Sequence, residues 1–223
     1  MGIESPTVAE LDALVTFLQA DGERKSSSVA RKLHDELGGC VIGAMMDVAW
    51  IEQHEPALPP DTVMRLARVN DGLRGAIDLT RKLVEELRPT LLDSMGLFAA
   101  LSWQFGLGCK QAAVKYRENF PALAPEMDAD RLISLFRIAQ ELFDLALQRD
   151  SLSALALAVT VKDGVLRLQM TMDGKNPAAA QGGLPLSAPM LSIMHRVRQL
   201  KGHAAISSPP EGNATFCVTV PMA

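Results

Sequence analysis

Two long apolar stripes, separated by a short proline-rich break, constrain this chain more than any other feature. From Ser26 to His54 apolar residues fall at Val29, Leu33, Leu37, Cys40, Val41, Ala44, Val48 and Ile51. Spacings of three and four place them on one face of a helix. Glu55-Pro56-Ala57-Leu58-Pro59-Pro60-Asp61 comes next, and its prolines cannot continue a helix. A second stripe runs Val63, Leu66, Val69, Leu73, Ile77, Leu83, Val84 and Leu87, with Asp61 as its expected N-cap and Pro89 as its stop. At 1.5 Å per residue each arm is roughly 42 Å long. Two such helices joined by a short turn make an antiparallel hairpin. A single hairpin has no core of its own, because each stripe faces only one partner. Two hairpins packed as a four-helix bundle bury both stripes, so the pattern predicts a homodimer.

His34 comes one position after Leu33 and so sits at the edge of the first stripe, among Arg31, Lys32, Asp35 and Glu36. A ring there can rest on apolar neighbours and still show a nitrogen to solvent. A neutral imidazole is a nucleophile, and its ordinary pKa of about 6.5 keeps much of it neutral near pH 7. A lone histidine at such an edge also serves as a plain packing residue, and the rest of the chain must decide. Along the returning helix, Thr80 and Arg81 come level with His34. Gly38 lies one turn beyond it. Glycine inside a helix costs about 1 kcal/mol relative to alanine. The pair Gly38-Gly39 therefore serves either access to the ring or close approach of helices in the dimer. Arg31, Lys32 and Arg81 either meet an acidic partner or form a solvated face.

Upstream, Thr7–Ala20 carries Val8, Leu11, Leu14, Val15 and Leu18, an amphipathic helix that Asp21-Gly22 either breaks or lets run on. Downstream, Leu87–Leu97 ends the hairpin and opens a shorter helix to about Phe105. The character then changes. A strand over Ala112–Arg117 and a strong helix over Asp128–Gln148 come first. Strands over Ala154–Val161 and Val165–Thr171 flank the hairpin signal Lys162-Asp163-Gly164. A helix over Ala188–Leu200, stopped by Gly202, precedes strands over His203–Ser207 and Thr215–Val220. This is an α+β sandwich: a mixed or antiparallel sheet with helices on one face.

Composition narrows the class. The 223 residues are 48% hydrophobic, enough for one large or two small domains. A net charge of -4 argues against a nucleic-acid surface, which would be basic, and 4% aromatic content argues against stacking platforms. Cys40, Cys109 and Cys217 are scattered and lack metal spacing, so they read as small buried residues of a reducing compartment. The first residues show no basic and apolar leader pattern, and the long uncharged stretches are broken by glycine or proline. A cytoplasmic protein with no membrane span is expected.

Four blocks stand in one order: Arg31–Gly39, Leu87–Leu97 (LRPTLLDSMGL), Leu135–Glu141 (LFRIAQE) and Gly182–Met222. Over about residues 23–222 they resemble a bacterial two-component sensor histidine kinase of the nitrate-sensor type. The resemblance implies a dimerisation and histidine-phosphotransfer hairpin at 23–90, after an N-terminal helix of unassigned role at 1–22. Residues 91–223 would form an α/β sandwich resembling the histidine kinase/gyrase ATPase fold. His34 matches the phosphoacceptor and Asp35 the acidic residue after it. Asp35 or Glu36 would hold the imidazole N–H and orient the reacting nitrogen.

Departures from the family pattern change the expected chemistry. The family's helix carries a glutamate and, four residues on, an asparagine that helps hold magnesium with ATP. Here Glu141 is present but Leu145 replaces the asparagine, and leucine offers no oxygen to a hard cation. The family's Asp-x-Gly-x-Gly turn survives only as Asp173-Gly174, with Lys175-Asn176-Pro177 after it. Gln181–Pro189 keeps the glycine pair of a phosphate lid but adds two prolines, each lacking the N–H such a cradle uses. Gly39 stands where the family has the glutamine of its hydrolytic motif. Glu141, Asp173 and Gly174 are then remnants, with no cofactor bound tightly. The expected function is a histidine phosphotransfer protein of a phosphorelay. It passes a phosphoryl group between His34 and aspartates of response-regulator receiver domains, which supply the magnesium. The alternatives are an ATP-dependent sensor histidine kinase with an unorthodox pocket and a non-catalytic pseudokinase that binds a response regulator. His54, His195 and His203 are expected to be structural.

Overall fold

The computed structural model describes residues 7–55, 57–148, 152–174, 187–207 and 213–222. The chain divides into two compact units, Met1–Thr90 and Leu91–Ala223.

In the first unit, helix α1 spans Val8–Lys32. Thr7 and Glu10 start it reciprocally: Glu10 N–H donates to Thr7 Oγ1 at 3.3 Å, and Thr7 N–H donates to Glu10 Oε2 at 2.7 Å. The helix runs on through Asp21-Gly22, where Asp21 pairs with Arg24 at 3.4 Å and Lys25 at 2.7 Å one turn ahead. A π turn, Leu33–Leu37, comes next, with Gly38 N–H donating to Leu33 O five residues back. Helix α2 then spans Gly38–His54, and α3 spans Pro60–Leu87. The cap of α3 is Pro59, not Asp61: the Pro59 carbonyl accepts from Thr62 and Val63, and Pro60 fills the first helical position. An N–H there would have had no helical partner, so proline loses nothing. Asp61 lies in the first turn instead, 3.6 Å from Arg65 Nε.

The segments α1, π turn and α2 pack along α3. Among the described residues of this unit, burial within the chain reaches only Ala30, Val41, Val48, Thr80, Val84 and Pro89. Val29, Leu37, Ile42, Met46, Val63, Val69 and Leu79 stay exposed. Cys40, expected to be buried, is exposed beside the buried Val41, because each helix meets α3 along a narrow seam.

In the second unit, helix α4 spans Thr90–Gln111. It runs past the expected end at Phe105 and kinks at Gly96, whose φ of 83° and ψ of 178° suit glycine alone. Strand β1 is Lys115–Asn119, α5 is Ala129–Leu147, β2 is Leu152–Lys162, β3 is Val165–Gly174, α6 is Ala188–Gln199, β4 is His203–Ser207 and β5 is Ala214–Pro221. The expected strand start at Ala112 moves to Lys115, because Ala113 takes a left-handed turn (φ 54°) after α4. The sheet order is β1-β2-β3-β5-β4, with β1 parallel to β2 and the other neighbours antiparallel. Alternate residues of β2, β3 and β5 are buried, as in Leu155-Leu157-Val159, Leu166-Leu168-Met170 and Phe216-Val218-Val220. They share one core with Leu101 and Phe105 of α4, Phe136 and Ile138 of α5, and Ile193 and Val197 of α6.

Asp128 caps α5 by accepting from Arg131 N–H at 2.8 Å, and Ser187 caps α6 by accepting from Met190 N–H at 3.4 Å. The end of α6 differs from expectation. Lys201, with φ 55°, takes the left-handed position, while Lys201 and Gly202 N–H donate back to Arg198 and Val197 carbonyls. Gly202 is required for another reason: a Cβ there would lie 2.5 Å from Thr219 O on β5.

Candidate functional site

His34 is the second residue of the π turn, and it is exposed together with Asp35 and Glu36. Successive residues of a helix point in different directions, so the three side chains diverge. Among the described residues none of the three carries a hydrogen bond or an ion pair. Gly38 and Gly39 sit four and five positions on, the next turn after the ring. A Cβ at Gly39 would meet nothing within 4 Å, and one at Gly38 only Leu33 O at 3.8 Å. Packing within one chain therefore demands neither glycine, and the surface beyond the imidazole is bare backbone. Arg31, Lys32 and Arg81 are exposed. Thr80 is buried, and its hydroxyl donates to Ala76 O at 2.8 Å within its own helix.

Two features here escape sequence reasoning. One is the π turn, which adds a residue and rotates the downstream helix by about 100°. Only the adjoining glycine pair hints at it. The other is an exposed apolar row, Ile42, Met46 and Trp50, repeating at four-residue intervals after Gly38. These residues lie off the stripe that periodicity marks as core. Trp50 stacks on His54 at 4.5 Å, and His54 Nδ1 lies 2.9 Å from Trp50 O, a local role for that histidine.

In the second unit, Glu141 on α5 is tied to α6. Its Oε1 accepts from Ser192 Oγ at 3.0 Å and lies 3.5 Å from Arg196 Nε. Burial pushes its carboxyl above the usual range, against the pull of Ser192, Arg196 and Arg137. Leu145, one turn further, is half-buried and packs against the core. Asp173 is exposed near the end of β3, and its carbonyl accepts from Ser153 Oγ at 3.2 Å. Gly174 closes the strand. Lys175–Pro177 and Gln181–Pro185 lie outside the described residues. His195 is buried, with Nδ1 3.3 Å from Arg198 Nη2, and burial, then Arg196, pulls its pKa down. His203 is exposed on β4.

A family model described as histidine kinase matches residues 23–92, the hairpin that carries His34. The sensor histidine kinase MctS of Rhizobium johnstonii is 24% identical over 219 residues, covering 96% of this chain and 46% of that protein. The nitrate/nitrite sensor protein NarX of Escherichia coli is 23% identical over 205 residues, covering 86% of this chain and 32% of that protein. The hairpin thus matches the histidine kinase family model, and most of the chain is similar to two-component sensor histidine kinases. The chain spans less than half the length of these curated relatives. Among solved structures, the histidine kinase domain of the Erythrobacter litoralis EL346 blue-light activated histidine kinase aligns with a TM-score of 0.48 and 15% identity, over 80% of this chain and 94% of that one. No helix among the described residues is long and apolar enough to cross a membrane.

Proposed function

We propose that this chain is a homodimeric histidine phosphotransfer protein of a cytoplasmic phosphorelay, with His34 as the carrier. The unit at 23–90 is the transfer hairpin, and the unit at 91–223 is an ATPase-like domain that binds little or no nucleotide. The observation that carries this reading is Leu145, packed against the core one turn after Glu141, where a magnesium ligand would stand; Ser192 and Arg196 meet Glu141 at Oε1 only. The exposed apolar side of the hairpin favours pairing with a second copy.

In the transfer, an unprotonated nitrogen of His34 attacks the phosphorus of an aspartyl phosphate on a receiver domain. An N–P bond forms as the O–P bond to the aspartate breaks, and the carboxylate leaves. Reversal passes the group to a second receiver. Asp35 and Glu36 diverge from the ring in the free helix, so either one must turn toward it as the receiver docks in order to accept from the other ring N–H and orient the reacting nitrogen. The receiver supplies magnesium, in keeping with phosphoryl transfer as positioning plus charge stabilisation. Gly39 brings no amide to position water, so the group is passed on in preference to being hydrolysed.

Incubation with labelled, phosphorylated receivers tests this: wild type takes up label and His34→Gln does not. Equal labelling of both, or of neither, sinks the proposal, and receiver binding without labelling supports a pseudokinase. The names of the sensor histidine kinase relatives favour a second reading, an ATP-dependent kinase with an unorthodox pocket. Micromolar ATP affinity by calorimetry, with label from ATP appearing on His34, would establish it.

A further inference from the structure

We infer that His195 is an acid-sensitive latch on the contact between α5 and α6: when its ring takes up a proton, α6 parts from α5 while the sheet stays formed. The latch needs neither a second copy of the chain nor a phosphoryl group.

Helix α6 carries two stripes at helical spacing. Met190, Ile193, Val197 and Leu200 are buried in the core. Ser192, His195, Arg196 and Gln199 follow the same three-and-four rhythm on another side. Ser192 and Arg196 of that second stripe meet Glu141 on α5. His195 therefore lies on the side of α6 that faces α5, and at 6% exposure it is out of water. Its Nδ1 is 3.3 Å from Arg198 Nη2. A guanidinium only donates, so Nδ1 accepts, the ring is neutral and its hydrogen sits on Nε2.

A proton arriving at Nδ1 ends that hydrogen bond and sets an imidazolium against a guanidinium. Helix α6 packs against α5 and β4. The other charged or titratable groups at these contacts are Arg196 beside the ring, Glu141 on α5 with Arg137 and Asp144 one turn to either side, and His203 on β4. Arg196 adds a second positive charge, and Glu141 is already engaged by Ser192 and Arg196. Arg198 is exposed and can turn into solvent. The buried ring has no such freedom, and an imidazolium there gains water only if the helix moves.

Burial, then Arg196, holds the ring below its ordinary 6.5. The contribution of the neutral ring is complete above 6.5 and is lost as pH falls through the lower folded value. Each unit of depression makes opening about tenfold more favourable once both states are protonated. Glu141 acts in the opposite sense, because its raised carboxyl contributes more as pH falls, so loosening in acid does not come from it.

The test is amide hydrogen exchange on the full chain between about pH 7.5 and 5, spanning the histidine range, with each rate corrected for the intrinsic pH dependence of exchange. Ile193 and Val197 on α6 should lose protection as pH falls while Leu168 on β3 keeps it. His195→Gln, whose amide oxygen also accepts from Arg198 but does not titrate, should hold Ile193 and Val197 constant. Constant protection in the wild type, an equal loss in His195→Gln, or a simultaneous loss at Leu168 overturns the latch. Ring-nitrogen chemical shifts of the wild-type chain need no variant. They should show the hydrogen on Nε2 and a midpoint below 6.5, whereas a hydrogen on Nδ1 or a midpoint at or above 6.5 overturns the latch as well.

Discussion

Replacing Arg196 by alanine removes the cation that faces Glu141, and the consequence depends on pH. The two side chains are 12% and 23% exposed, so solvent screens the pair only weakly. Removing one partner of a well-buried pair costs about 3–5 kcal/mol, and an unsatisfied buried polar group about 1–3. With Ser192 still donating to Glu141, about 2–3 kcal/mol is expected near neutral pH. Burial already holds the Glu141 carboxyl above its ordinary 4.5. From 4.5 up to its folded value the native chain binds the proton more readily than the unfolded chain. The contribution of Glu141 to stability therefore falls as pH rises through that window. Without Arg196 the folded value rises further and the window widens. Below 4.5 the carboxyl is neutral in both states, and about 1 kcal/mol remains for the packing of the arginine stem. Urea unfolding can be read from each unit separately, since Trp50 and Trp103 are the two tryptophans and lie in different units. In a Trp50→Phe background, Trp103 reports the unit that holds the pair. An equal loss of stability at acid and neutral pH would refute the reasoning. So would additive losses from Arg196→Ala and Glu141→Gln, which ought to couple.

Leu145→Asn should cost about 2–3 kcal/mol by placing an amide against the core, and on the proposed reading calorimetry should detect ATP binding neither in this variant nor in the wild type. Gly202→Ala should destabilise the same unit by more than about 2 kcal/mol in the Trp103 assay, since the new Cβ meets backbone on β5 that cannot give way. Gly39→Gln should leave the hairpin as stable or up to about 1 kcal/mol more so by thermal melting, because the position is open and helical. The same variant should shorten the lifetime of a phosphorylated receiver mixed with it.

Periodicity makes the hairpin legible because a 3.6-residue rhythm sustained over α3 accumulates far more signal than any local exception. The β2–β3 hairpin is equally plain, as Asp163 and Gly164 both adopt positive φ in a turn that their residue types favour. Illegible is anything decided by a distant neighbour or by a single residue of phase. The π turn looks like a slightly drifting stripe, because Leu33 and Leu37 keep a four-residue spacing whether or not the helix widens. Asp61 has the composition of a cap, but Pro59 and Pro60 set the backbone first. Gly202 looks like a helix stop, and the β5 carbonyl that requires it lies in a later strand. At the candidate site, the exposed setting of His34 beside the stripe is legible from its own segment. The tie of Glu141 to Ser192 spans 51 residues and no local pattern announces it.

The π turn at Leu33–Leu37 also sets where the hairpin opens. Five-residue turns have poorer bond geometry than the α-helix on either side, so local fluctuations break them at lower free energy than whole-unit unfolding requires. Amide hydrogens of Leu37 and Gly38 should exchange with solvent deuterium well before those of Val41 and Ala44, less than two turns away in the same arm. Fraying normally begins at helix ends. Here it begins in mid-helix, under the imidazole, and slow exchange on both sides would confine that motion to the turn that bears His34.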